Sequence, residues 1–164
     1  MPITGYDDVY LGNPNLKKAN TKLEFTQEQI LEFVACKNDP VYFAKQHVKI
    51  VSLDEGLVPF EPYDFQEKLI QNFHENRFNI CKMPRQTGKS TTSVSYLLHY
   101  AVFNDNVNIG ILANKAATAR DLLGRLQTAY ENLPKWMQQG IISWNKGSLE
   151  LENGSKILAA STSA

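Results

Sequence analysis

Cysteine is almost missing from this chain. Its two thiols, Cys36 and Cys81, form no C-x-x-C pair, so the sequence offers neither a disulfide framework nor a thiolate metal site. Both are expected to be reduced core residues. Net charge is missing too: 17 Lys+Arg stand against 17 Asp+Glu. Bulk electrostatics therefore give no reason for nucleic-acid binding, and any DNA contact has to be local. No apolar run approaches the roughly 18 residues of a membrane span. Met1 opens no charged-then-apolar leader, which predicts a soluble intracellular chain with no membrane association. Internal repeats and low-complexity tracts are absent as well.

What is present suits one globular domain. The 164 residues are 43% hydrophobic and 10% aromatic, enough for a real core and too few residues for two ordinary domains. Residues 1–24, broken by Pro2, Gly5, Gly12 and Pro14, read as a loosely ordered arm with a solvated basic cluster at Lys17, Lys18 and Lys22. Residues 25–76 read as a mostly helical lead-in. Thr26 and Gln29 have capping-box spacing ahead of Ile30, Phe33 and Val34, which predicts a helix near 26–37. Asp39-Pro40 predicts a short second helix ending near His47. Residues 48–52 and 57–60 read as extended segments around the turn Asp54-Glu55-Gly56. A third helix is predicted over 64–75, burying Phe65, Leu69, Ile70 and Phe73.

Residues 77–164 carry the densest signals. RFNICKM (77–83) reads as a short apolar strand, PRQTG (84–88) as a break, and 89–103 as a helix striped by Val94, Leu97, Leu98, Ala101 and Val102. A buried strand over 107–113 and an amphipathic helix over 115–132 follow. That order implies parallel strands with right-handed crossovers, hence an α/β fold. Leu149 and Leu151, then Asn153-Gly154, then Ile157 predict a hairpin. The last stretch, SKILAASTSA, stops just after an apolar run, and the expectation is a piece of a longer protein.

The break carries the chemistry. Gly88-Lys89-Ser90 ends the phosphate-loop pattern G-x-x-x-x-G-K-[ST], but Met83 stands where the first glycine belongs. The tripeptide alone arises by chance in roughly one chain in ten of this length. Its position between an apolar strand and a helix is the specific part. Gly88 lets backbone N–H groups approach phosphate oxygens, and the helix beginning near Lys89 directs its unsatisfied amides and dipole at the anion. Lys89 supplies a mobile cation for the phosphates, and Ser90 a hydroxyl for Mg²⁺. Arg85 inside such a loop implies a phosphate partner, because an unpaired guanidinium near a turn is costly. It is expected to act as an arginine finger in cis, a device worth about 10³–10⁵ in rate; the bland reading is a salt bridge to an acidic residue of the part of the sheet expected beyond this stretch. Gln66, 22 residues before Gly88, has a donor and an acceptor for an adenine edge, with Phe60 and Tyr63 near enough in sequence to stack. The bland reading there is an ordinary exposed glutamine.

Other residues point to packing. His47, His74 and His99 have no partners at ligand spacing, and His99 is expected to be a packing or surface residue. Lys115 reads as a solvated helix start after the second strand. Arg120 and Arg125 read as an exposed helix face, and Trp136 and Trp144 as packing groups.

KMPRQTGKST, the upstream YDFQ, the following ILANKAATA and the closing WNKGSLELENGSKI together resemble the ATPase domain of the large terminase subunit of tailed bacteriophages, of the contractile-tailed type. The likeness spans about 25–160. In that family the phosphate loop is an R-Q-x-G-K-[ST] variant without the first glycine, so Met83 follows the family. The resemblance implies an additional-strand P-loop NTPase fold, with a mostly parallel sheet flanked by helices. It implies a phosphate cradle over Pro84, Arg85, Gln86, Thr87, Gly88, Lys89, Ser90 and Thr91, with Arg85 and Lys89 catalytic, Ser90 on the metal and Gln66 at adenine. ATP and Mg²⁺ are the implied cofactors. Double-stranded viral DNA, the portal protein of the procapsid, the small terminase subunit and other copies of the chain in a ring are the implied partners. The implied location is the host cytoplasm, transiently the portal vertex.

No apolar run ending in Asp-Glu follows the loop, so a Walker B strand and a nuclease domain are expected beyond Ala164. This stretch alone is expected to bind ATP weakly and hydrolyse almost none. Two alternatives stand beside this reading. A superfamily 1 or 2 helicase shares the glutamine and the loop but not its arginine. A non-catalytic nucleotide-binding or assembly module comes from another class.

Overall fold

A computed structural model describes residues 8–52 and 54–162. The first elements are two strands, β1 (Val9–Tyr10) and β2 (Asn13–Lys17), paired antiparallel. Helix α1 (Gln27–Asn38) starts where the Thr26 Oγ accepts from Gln29 N at 3.2 Å and the Gln29 side chain accepts from Thr26 N at 3.1 Å, the reciprocal cap its spacing predicts. Asp39 caps α2 (Pro40–His47) by accepting from Val41 N and Tyr42 N. Strands β3 (Lys49–Ser52) and β4 (Gly56–Pro59) form a separate hairpin. Helix α3 (Asp64–Glu75) leads through an irregular stretch into α4 (Lys89–Phe103). Strand β5 (Asn108–Ala113), helix α5 (Ala116–Glu131) and strands β6 (Ile141–Trp144), β7 (Ser148–Leu151) and β8 (Lys156–Ser161) complete the described chain. Among the described residues, no helix is long and apolar enough to cross a membrane.

The larger sheet runs β5-β8-β7-β6. Strand β5 pairs parallel with β8, from Asn108 opposite Lys156 to Ala113 opposite Ser161, whereas β7–β8 and β6–β7 are antiparallel. The expectation of a mostly parallel sheet is thereby corrected: the fold is mixed α/β with a mixed sheet. The reason is the Asn153-Gly154 turn. It folds β7 and β8 into a hairpin as expected, but that hairpin joins the same sheet as β5 and brings its antiparallel pairings with it.

The core lies between this sheet and the helices. Ile109 and Ile111 of β5, Leu149 of β7 and Ile157 of β8 point to one face, against Leu123, Leu126 and Tyr130 of α5, all buried. Leu112 and Leu158 point to the other face and are exposed, as the two-residue period of a strand requires. Helix α4 adds Leu98, Val102 and Phe103, and Phe43 of α2 packs edge-on against Phe103 at 5.3 Å between ring centroids. Helix α1 contributes less than its pattern promises: Ile30 and Val34 are exposed, as is Phe65 of α3.

Two further expectations change. Residues 77–83 form no strand. The segment pairs with no other described strand, and Phe78 and Ile80 are fully or nearly fully exposed (82% and 101%). Apolar character signals what a segment can bury, but a strand also needs a neighbour's backbone groups, and none of the described segments supplies them. The arm expected to be loose is ordered from Asp8 onward; residues 1–7 lie outside the described residues. Leu16 and Lys17 are buried, and Lys17 leaves the expected solvated cluster to pair with Glu152 at 3.4 Å.

Gln138 fixes this corner. It is buried, its Oε1 accepts from Lys17 N (3.0 Å), and its Nε2 donates to the carbonyls of Asn15, Leu133 and Tyr130. Glu152 accepts from Asn20 N (2.7 Å) and Gly140 N (2.8 Å). Burial pushes its carboxyl up, but those amides and Lys17 outweigh it and hold the group below the usual carboxylate range. Gly140 has no room for a side chain: a Cβ there would lie 2.5 Å from the backbone Cα of Ala19.

Candidate functional site

The stretch 83–92 is shaped by its own backbone and by one side chain from α3. Gln86 (φ 61°) and Gly88 (φ 72°) both take the left-handed conformation, with Thr87 between them, and the alternation is the kind that curls a loop around its amides. Helix α4 begins at Lys89, directly after Gly88, and no side chain caps its first turn. Its leading amides therefore have no side-chain acceptor. Thr87 Oγ1 donates to Pro84 O (3.0 Å), and Thr92 Oγ1 to Gly88 O (2.9 Å), which hold the two ends of the turn. The Lys89 Nζ curls back over the loop and donates to Met83 O and Pro84 O, both at 2.8 Å. An ammonium has three donors, so one remains for another acceptor.

Gln66 reaches this loop from the first turn of α3 and is buried. Its Oε1 accepts from Tyr63 N (2.9 Å), and its Nε2 donates to Thr87 O (3.2 Å). The ordinary exposed glutamine of the bland reading is ruled out. The approach is close enough to dictate its neighbour: a Cβ on Gly88 would lie 2.3 Å from Gln66 Nε2. Gly88 is thus needed both for its φ and for this contact. Beside them a cavity of about 500 Å³ is lined by Ile50, Val58, Phe60, Tyr63, Gln66 and Thr91, among others. A second cavity, of about 790 Å³, touches Gln86 and Thr91 on the other side of the loop and reaches Asp121 and Arg125 of α5.

Arg85 is exposed, with no hydrogen bond or ion pair among the described residues. Ser90 and Thr91 are half-buried in the first turn of α4. The structure thus brings Gln66 and Lys89 onto the turn 83–88 through hydrogen bonds to its carbonyls, with Gly88 and Thr91 beside the smaller cavity. Such an arrangement can hold an anion through backbone amides, a lysine and an arginine at once.

Most of the other residues singled out in the sequence take the surface or packing places expected of them. Arg125 pairs with Asp121 (3.0 Å) on α5, and Lys115 and Arg120 are exposed. Trp144 packs against Tyr130, and Trp136 lies edge-on to His47. His99 is buried, its Nε2–H donating to Cys36 O at 2.9 Å, and burial lowers its pKa to about 4. His47 departs from expectation: it meets Glu32 at 2.8 Å beside Cys36. Glu32 and Cys36 stand four apart, a legible helical spacing, but the fold-back that adds His47 is not encoded in any spacing.

Comparison with known families gives one finding. A family model described as the N-terminal part of the terminase large subunit, T4likevirus-type, matches residues 80–164, more than half of the chain.

Proposed function

The chain belongs to the T4likevirus-type family of terminase large subunit N-terminal regions, which makes it a component of the phage DNA-packaging machinery, and from that premise we propose that residues 84–91 form the nucleotide site of the motor, within an additional-strand P-loop ATPase domain. One observation carries the proposal. The Lys89 ammonium lies across a loop curled by two left-handed residues, at the mouth of a helix whose first turn no side chain caps. An anionic group with several oxygens matches those donors.

ATP with Mg²⁺ would supply the phosphoryl bond whose cleavage drives translocation. The chain's residues do the rest. The amides of Thr87 to Ser90 and the Lys89 ammonium bind the phosphate tail. The Ser90 hydroxyl, half-buried in the first turn, is the ligand offered to Mg²⁺. Arg85, exposed and unpaired among the described residues, is free to swing onto the terminal phosphate, where a bidentate guanidinium stabilises developing charge. Gln66 keeps a second amide hydrogen and a second carbonyl lone pair beyond the two bonds it already makes, and it lines the same cavity as Phe60 and Tyr63, where an adenine edge would lie. The output is translocation of double-stranded viral DNA into the procapsid. The chain acts as one copy in a ring at the portal, in the host cytoplasm, together with the small subunit and with a nuclease domain further along the polypeptide.

Binding of a fluorescent ATP analogue tests the site. The wild-type chain binds weakly with Mg²⁺ present, and Lys89→Ala lowers affinity at least tenfold. Equal affinity in the two proteins contradicts the proposal. In a packaging-competent large subunit carrying this sequence, Arg85→Ala lowers ATP turnover by about 10³-fold or more while leaving nucleotide affinity within a few-fold.

A further inference from the structure

Away from the phosphate loop, three side chains with metal-binding atoms converge. Glu32 and Cys36 lie one turn apart on the same face of α1. The Asp39 cap then reverses the chain, and the last turn of α2 brings His47 back onto that face. Glu32 Oε1 lies 2.8 Å from His47 Nε2 and accepts from Cys36 Sγ at 3.6 Å; the three ligand atoms all lie within 4.8 Å of one another. The remaining carboxylate oxygen, Oε2, accepts from Tyr42 Oη at 3.0 Å.

These distances match a small metal ion. Around tetrahedral zinc, with bonds of about 2.0 Å to oxygen and nitrogen and about 2.3 Å to sulfur, the oxygen–nitrogen edge is about 3.3 Å and the oxygen–sulfur edge about 3.5 Å. The observed 2.8 and 3.6 Å lie within about 0.5 Å of those edges. The nitrogen–sulfur edge, no longer than 4.8 Å, has to shorten toward about 3.5 Å, and the oxygen–nitrogen edge has to open by about 0.5 Å as the ion takes the place of the shared proton. A thiolate, an imidazole and a carboxylate together favour zinc-like ions over Mg²⁺ or Ca²⁺, which prefer oxygen alone. Tyr42 holds the carboxylate in place from behind, the usual arrangement around a metal ligand.

We propose that Glu32, Cys36 and His47 bind a zinc-class divalent transition-metal ion, with water as a fourth ligand. The partly exposed Glu32 and His47 (30% and 14% for their side chains) give it entry, and the buried Cys36 closes the inner side. The ion replaces the Cys36 thiol proton, which leaves to solvent; no oxidation is involved. Its effect is structural. It clips α1 to α2, and because Cys36 O accepts from His99 of α4, it braces the helix that starts at the phosphate loop. This inference stands apart from the nucleotide reading.

The test uses a Cys81→Ser background, which removes the exposed second thiol. With Zn²⁺ at about 100 times its Kd, thermal unfolding shifts up by about 5–10 °C relative to the chelator-treated protein. Co²⁺ produces a thiolate-to-cobalt charge-transfer band and the strong visible bands of tetrahedral cobalt. Cys36→Ser and His47→Gln each abolish the shift. No stabilisation and no cobalt band in the background protein overturn the proposal, as does a shift that survives in Cys36→Ser. Should the variants fail to fold, the cobalt spectrum decides alone: with one thiol left, the charge-transfer band assigns Cys36 and its absence refutes the site.

Discussion

The corner around Gln138 and the loop around Lys89 use polar groups in opposite ways. At the corner, Gln138 and Glu152 turn their bonds inward, to backbone groups of the N-terminal segment, of the end of α5 and of Gly140, and to the Lys17 ammonium. At the loop, a guanidinium is unpaired among the described residues, a helix start has no side-chain cap, and an ammonium rests on two carbonyls of a partly exposed turn. Closed polar networks fix structure, because removing one member leaves others buried and unpaired. Open ones add little to stability, and under the proposed function they serve a ligand. The two regions should therefore respond in opposite ways to substitution.

The largest effect belongs to the closed corner. Gln138→Ala strips partners from Lys17 N and from the carbonyls of Asn15, Leu133 and Tyr130. The expected loss is about 3–5 kcal/mol, or roughly 10 °C in Tm, by denaturant and thermal unfolding. A loss under about 1 kcal/mol removes the contrast.

Acid probes a buried group outside both regions, His99 of α4. His99 Nδ1 is buried without a partner among the described residues, and burial holds the folded pKa near 4, below its unfolded value of about 6.5. The unfolded chain therefore binds more protons in that window. The stability contributed by neutral His99 is complete above pH ~6.5 and falls by about 2–3 kcal/mol as the pH drops toward 4. Glu152, whose carboxyl is held low, loses stability in the same direction. Urea unfolding at several pH values reads the slope, and His99→Gln should flatten it.

Gly88→Ala probes the one part of the loop that is closed, its contact with Gln66. It forces an alanine into the left-handed conformation and pushes Gln66 off Thr87, at a cost of about 1–2 kcal/mol. Smallest of all is Arg85→Ala, expected to change stability by less than about 0.5 kcal/mol, as befits an exposed unpaired side chain. A larger loss means that Arg85 has a structural partner.

The parts of the fold set by neighbours in sequence were legible. The Thr26 and Asp39 caps, the turn at Asn153-Gly154 and the helix after Gly88 follow from local chemistry that spans three or four residues. What depends on distant neighbours was not. The segment 77–83 has the composition of a strand but no described partner. The 13–17 stretch has the composition of an arm, yet docks because Gln138 and Glu152, more than a hundred residues away, supply bonds for it. The same holds for the site. The loop, Gly88 and Lys89 could be read directly. That Gln66 touches Thr87, and that His47 meets Glu32 and Cys36, required the fold.

The most direct measurement is a paired one on wild type and Lys89→Ala: Mg²⁺-dependent binding of an ATP analogue, and thermal stability of the nucleotide-free proteins. The account predicts that affinity falls at least tenfold while Tm moves by no more than about 2 °C. Unchanged affinity, or a large fall in Tm without nucleotide, would mean that Lys89 is a structural brace and that the loop is no phosphate cradle.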